Sequence, residues 1–166
     1  RSPSGKLPVT FYYQSALEEM PAFTDYSMKN RTYRYYTGKP LYPFGYGLTY
    51  GDTQVTAVTA DKQTAKVKVV NRGAATEDVV QLYIRDVTSP DATPNPKLCA
   101  FQRVSLAQGE ERELTIPLPA AAFRVCNEAG EWVDGSGKWT LYAAFGQPDA
   151  RTEELTGKKA AACTIE

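Results

Sequence analysis

Nineteen carboxylate side chains and not one histidine bound the chemistry open to this sequence. Without imidazole there is no Ser-His-Asp or Cys-His catalysis, no His-ligated zinc and no histidine proton shuttle. A hydrolase built from what remains would use two carboxylates, one as acid and one as nucleophile or base. Most of the acids stand where turns and surfaces want charge: Glu110, Glu111 and Glu113 flank a hairpin, Glu128, Glu131 and Asp134 fall in turns, and Glu153-Glu154 is an exposed pair. Asp25, set among Phe23, Tyr26 and Met28 and followed by Arg31 and Arg34, is the most distinctive, and reads as a structural ion pair with those arginines. The run Asn30 to Tyr36 interleaves Arg31 and Arg34 with Tyr33, Tyr35 and Tyr36. Such a composition can stack on sugars or hold a protein partner by cation–π contact. In Leu41 to Tyr50, aromatic residues alternate with glycine, which gives a connector with Tyr42, Phe44 and Tyr46 as anchors. No Gly-x-Gly-x-x-Gly opens a helix and no Gly-Lys-Ser/Thr occurs. Cys99, Cys126 and Cys163 are odd in number and in no Cys-x-x-Cys spacing, so they read as small buried apolar residues rather than a disulfide framework or thiolate metal site.

The elements that must position these residues divide the chain in two. Nine of the eleven Tyr and three of the six Phe lie in the first fifty residues. There Pro3, Pro8, Pro21, Pro40 and Pro43 recur too often for long helices; Leu7 to Tyr13 alternates briefly, and Ser15 to Met20 has room for a short helical turn. So short a segment closes too little surface to fold alone, so it is expected to lie against something else. From Thr53 the period becomes two. Strands are predicted at 53–60, 65–69, 78–87, 98–106, 111–118 and 137–145, with a weaker pair at 153–155 and 160–165. Val80, Leu82 and Ile84 share one face of the third, and Val79, Gln81, Tyr83 and Arg85 the other; Leu114, Ile116 and Leu118 point inward; Trp139, Leu141, Ala143 and Phe145 share a face. The loop Thr88 to Lys97 carries Pro90, Pro94 and Pro96, which bar it from a strand. Pro119 to Ala122 suits one helical turn. The class is all-β: an immunoglobulin or fibronectin type III-like antiparallel sandwich behind an extended, aromatic-rich N-terminal arm.

Lys and Arg also number nineteen, so the formal net charge is 19 − 19 = 0. With no basic block, nucleic acid is not expected as a partner, and with no run of ~20 apolar residues neither is a membrane. The chain begins without Met in a polar run, which reads as a processed or excised piece, so the lack of a signal peptide says little about location. It reads as soluble. Unpaired cysteines lean slightly toward the cytoplasm, and a secreted or periplasmic setting stays open.

Several stretches together resemble glycoside hydrolase family 3, the β-glucosidases and β-xylosidases, in its C-terminal part. They are Ser4-Gly5-Lys6-Leu7-Pro8-Val9-Thr10, Asp25-Tyr26-Ser27-Met28 leading into Arg31-Thr32-Tyr33-Arg34-Tyr35, and the run from Leu41 to Tyr50. Further on come Val69 to Gly73, Val79 to Ile84, Leu98 to Val104, and Gly146 to Arg151 followed by Leu155-Thr156-Gly157, the last leaning toward the β-xylosidases. Cys99 and Ala100 depart from the Lys or Arg and Gly usual there. The resemblance implies a parent that is an exo-acting retaining β-glycosidase working with two carboxylates and no cofactor or metal. Its (β/α)8 barrel and most of its α/β sandwich domain lie outside this chain, and no catalytic residue can be carried onto any position here. Residues 1–37 would be the tail of the preceding domain, 38–51 a connector and 52–166 the fibronectin type III-like sandwich. The expected role is to brace the catalytic domains, with Asp25, Arg31, Tyr33, Arg34, Tyr35, Tyr42, Phe44 and Tyr46 as candidate interface residues and the missing catalytic domains as partner. The alternative is an oligosaccharide-binding module, with Trp132, Tyr83 and Tyr142 as its exposed aromatics, or a loop at 88–97 that shapes the substrate entrance. The chain alone is expected to be inactive.

Overall fold

The computed structural model describes residues 2–166. Two antiparallel sheets face each other. One is built from β1 (Thr53–Ala60), β2 (Thr64–Asn71) and β5 (Glu111–Pro117) in the order β1-β2-β5. The other runs β4-β3-β8-β9, from β3 (Thr76–Asp86), β4 (Lys97–Leu106), β8 (Trp139–Ala144) and β9 (Ala161–Ile165). A short hairpin of β6 (Arg124–Cys126) and β7 (Trp132–Asp134), which the sequence did not announce, stands apart. The period-two pattern explains the core: Ala65, Val67 and Val69 point in while Lys66 and Lys68 point out, and Val80, Leu82 and Ile84 meet them from β3. Leu114, Ile116, Trp139 and Leu141 complete this layer, burying their alternate faces as expected. Burial of this kind is worth roughly 1.5–3 kcal/mol per large aliphatic side chain.

Asn71 closes the turn after β2. Its Oδ1 accepts from the backbone N–H groups of Asp52 (3.0 Å) and Gly73 (3.1 Å), and its Nδ2 donates to the carbonyl of Ala74 at 2.9 Å, so this fully buried amide is satisfied. Two expectations are corrected. Residues 153–155 are not a strand but belong to a helix, Ala150–Thr156, because Asp149 caps its start by accepting from Thr152 N (2.6 Å) and Gly157, at φ 70°, ends it. The cysteines are not all buried: Cys126 is exposed on the β6–β7 hairpin, and Cys99 and Cys163 are half-buried. Cys99 is the extra residue of a β-bulge, since Leu82 pairs with Ala100 but Tyr83 with Leu98.

The N-terminal segment has little regular structure: a 3-10 turn at Gln14–Glu19 and one helical turn, Thr32–Tyr35. Met28, Asn30 and Thr32 have φ of 61°, 55° and 56°, which breaks any longer helix. Instead its two ends pair with each other. Leu7 N donates to Tyr46 O (2.9 Å), Gly45 N to Leu7 O (2.8 Å), Phe11 N to Tyr42 O (2.9 Å) and Leu41 N to Phe11 O (2.8 Å). This irregular ribbon lies on the outer face of the four-stranded sheet. Among the described residues, no helix is long and apolar enough to cross a membrane.

Candidate functional site

The outer face of β3 is where the arm is seated. Gln81 and Tyr83 point away from the sandwich core yet are 3% and 0% exposed, because the arm covers them. Phe44 and Tyr33 stack at 4.1 Å with an interplanar angle of 12°, and both meet the Tyr83 ring edge-on, at 6.4 and 6.3 Å. Such edge-on and stacked pairs contribute about 0.5–1.5 kcal/mol each beyond the area they bury. The Tyr83 hydroxyl donates to Gln81 Oε1 at 2.5 Å, and Gln81 Nε2 donates to the Gly45 carbonyl at 2.9 Å. Burial drives the Tyr83 phenol far above its ordinary pKa, so it stays a donor at every working pH.

Further contacts fasten the arm. Lys6 Nζ sits 2.7 Å from Asp78 Oδ1, whose other oxygen accepts from Thr53 at 2.7 Å, and it also donates to the Phe145 carbonyl at 2.8 Å. With Asp78 1% exposed, this is a buried ion pair further supported by hydrogen bonds at both ends. Asn95, in the proline-bearing loop, donates through Nδ2 to the carbonyls of Tyr33 (2.8 Å) and Tyr36 (2.7 Å) and through its backbone to that of Arg34 (3.1 Å). The Tyr33 hydroxyl accepts from Leu98 N at 3.0 Å. At the far side, the Arg151 guanidinium donates to the Leu41 carbonyl at 3.2 Å and to the Tyr13 hydroxyl at 3.3 Å.

The candidate residues are therefore placed differently from one another. Tyr33, Phe44 and Tyr46 are half-buried in the seat, Tyr42 is 40% exposed and stacks on Tyr46 at 5.4 Å, and Tyr35 is half-buried beside Arg34. The pairing of Asp25 with Arg31 and Arg34 is not formed. The Asp25 carboxylate accepts from Ser27 N at 2.8 Å, which holds it below the ordinary carboxylate range. Arg31 instead donates from Nη2 to the carbonyls of Pro21 (3.0 Å) and Ala22 (2.9 Å), and the Arg34 guanidinium lies 5.9 Å from the centre of the Tyr33 ring. Carbonyl oxygens nine and ten residues upstream take this guanidinium, while the carboxylate is used in its own turn. Tyr83, put forward as an exposed sugar-stacking residue, is fully buried under the arm; Trp132 is 51% exposed and Tyr142 half-buried.

Sequence reasoning missed Lys6, Asp78, Gln81 and Asn95. A signal for Gln81 was present: Val79 to Ile84 is too uniformly apolar for a strand with one wet face, which is the mark of burial on both sides. Among the described residues, no group of three or more His, Cys, Asp or Glu is placed to hold a metal.

An antiparallel sandwich of two such sheets is the architecture of a fibronectin type III-like domain, and residues 78–146, which exclude the arm, match that domain family. The chain is 31% identical over 172 residues to the periplasmic beta-glucosidase of Salmonella typhimurium, a match spanning 92% of this chain and 22% of that protein. It is 38% identical over 163 residues to the xylan 1,4-beta-xylosidase of Xylanibacter ruminicola, covering 93% and 18%. Among solved structures, DesR, a beta-glucosidase from Streptomyces venezuelae, superposes with a TM-score of 0.75 at 27% identity, over 99% of this chain and 23% of its own. The beta-D-glucoside glucohydrolase of Trichoderma reesei gives 0.76 over 99% and 27%, at an identity of 21% that speaks to the fold alone. The chain belongs to glycoside hydrolase family 3, of which it represents the C-terminal part. It spans about a fifth of the length of the curated relatives it matches.

Proposed function

We propose that this chain is the non-catalytic accessory part of a family 3 β-glycosidase, and that it braces the catalytic domains through its arm. The parent activity, hydrolysis of β-glucosides or β-xylosides, is an inference from the names of the relatives, and its exo-acting, retaining course is what the family resemblance implies. The observation that carries the bracing role is the arm's outward face. While its inner side chains are held on the sheet, Phe23, Tyr26, Tyr50, Leu48 and Leu17 are 89%, 86%, 73%, 66% and 59% exposed. So many large apolar side chains left exposed on one short segment mark it as an interaction surface. The buried Arg31 Nε also has no hydrogen-bond partner among the described residues, as expected of a group completed by a neighbour. In this reading residues 1–37 belong with the preceding domain, 38–51 connect and 52–166 form the brace. The loop at 88–97 serves the arm through Asn95.

The reading is tested by mixing this chain with the remainder of a family 3 enzyme expressed without it. Association measured by calorimetry, with activity and melting temperature rising in the remainder, is expected, and aryl β-glucosides or β-xylosides should go uncleaved by the chain alone. No association, or turnover by the isolated chain, would overturn it.

A further inference from the structure

Between the arm and the helix Ala150–Thr156 lies a cleft of about 310 Å3, at the lower end of the roughly 300–1,000 Å3 of small-molecule sites. Gln147 lines it, and its side-chain amide, open to the cleft, makes no hydrogen bond within the described residues; its backbone carbonyl accepts from Asp149 N at 2.9 Å. Thr10 Oγ1, in the same wall, is buried and equally unpartnered. Leaving the Thr10 hydroxyl unpaired costs about 1–3 kcal/mol, which a ligand with hydroxyl groups would offset. Tyr33 and Tyr36 add aromatic surface of the kind that receives the C–H face of a sugar ring.

The charges of the cleft cancel. Lys39 Nζ is 2.8 Å and Arg151 Nη1 3.0 Å from the two oxygens of Glu154, and Asp149 supplies the second acid, so two cations face two carboxylates and 2 − 2 = 0. No cation is left over for a phosphate or carboxylate ligand. Asp149 is itself committed to capping the helix.

We propose that this cleft binds a small neutral polyhydroxylated ligand, one or two sugar rings, through the Gln147 amide and the Thr10 hydroxyl. The site is separate from the arm's outward face, so it stands or falls independently of the bracing role.

A 15N-labelled sample of the whole chain titrated with glucose, cellobiose and xylobiose, and separately with glucose 6-phosphate, tests this. Saturable shifts from the neutral sugars, centred on the side-chain amides of Gln147 and Asn95 and on Thr10, are expected, with dissociation constants on the order of 1–10 mM. Gln147→Ala should weaken binding about tenfold. Thr10→Val, which keeps the side-chain volume and removes an unpaired hydroxyl, is the second variant and should weaken binding without lowering the melting temperature. Absence of shifts up to the solubility of the sugars, shifts centred on Trp132 instead, tighter binding of the phosphate ester, or full affinity in both variants would overturn the proposal.

Discussion

Gln81 reaches across from the sheet to the Gly45 carbonyl because Gly45 carries no side chain. A Cβ at that position would fall inside contact distance of both Gln81 Oε1 and the Tyr83 hydroxyl, and its backbone sits at φ 75°. The glycine of the aromatic connector is thus fixed by the two polar groups that the strand turns outward.

Gly45→Ala is accordingly expected to unseat the arm. Left-handed backbone and steric overlap together should cost roughly 2–5 kcal/mol. Hydrogen exchange reads this at the amides of Leu7 and Gly45, which are bonded across the ribbon. Their protection should fall while that of Val67 in the core of β2 stays high. Unchanged protection at Leu7 and Gly45 would contradict the seat.

Asp86 gives a pH dependence with a definite sign. It is 2% exposed, and burial alone would raise its pKa. The Ser136 hydroxyl and backbone N–H (2.6 Å), with the N–H groups of Ser89 (2.9 Å) and Thr88 (3.0 Å), outweigh burial and leave it below its ordinary value. A carboxylate depressed in the folded state contributes stability that is full above the unfolded pKa of about 3.9 and is lost as pH falls through the folded one. Asp86→Asn should therefore destabilise by about 1–3 kcal/mol at pH 6, and the gap between wild type and variant, followed by urea unfolding, should narrow as the pH falls below the unfolded pKa of about 3.9. A gap independent of pH would contradict this.

The cysteines should divide by reactivity. Burial pushes the Cys99 thiol up to about 12 and raises Cys163 as well, while Cys126 is exposed. Since the thiolate is the nucleophile, iodoacetamide at neutral pH should modify Cys126 first and leave Cys99 untouched in the folded chain, as peptide mass mapping would record. Equal labelling of Cys99 and Cys126 would contradict the bulge geometry.

Much of the sandwich was legible because period-two alternation is a local property: Lys66 and Lys68 between Ala65, Val67 and Val69 need no tertiary context to be read. The region 153–155 misled because a stretch so short has no period of its own, and Asp149 and Gly157 decide its form from outside. The seat was half-legible. Its aromatics were singled out and expected to need a partner, but the partner for Tyr33 and Phe44 is the chain's own Tyr83, which a simple two-face reading of β3 assigned to solvent. Lys6, Asp78 and Asn95 could not be found, since each acts on a residue 59 or more positions away in sequence.

The claim that the arm's outward face carries the brace is tested most directly by Phe23→Ser/Tyr26→Ser, made in this chain and in the full-length enzyme. Both side chains are almost wholly exposed here, so the isolated chain should keep its melting temperature. The full enzyme should melt several degrees lower, by the roughly 2–4 °C per kcal/mol or less that larger proteins show. An enzyme whose melting temperature and activity are untouched by the double substitution would contradict the account.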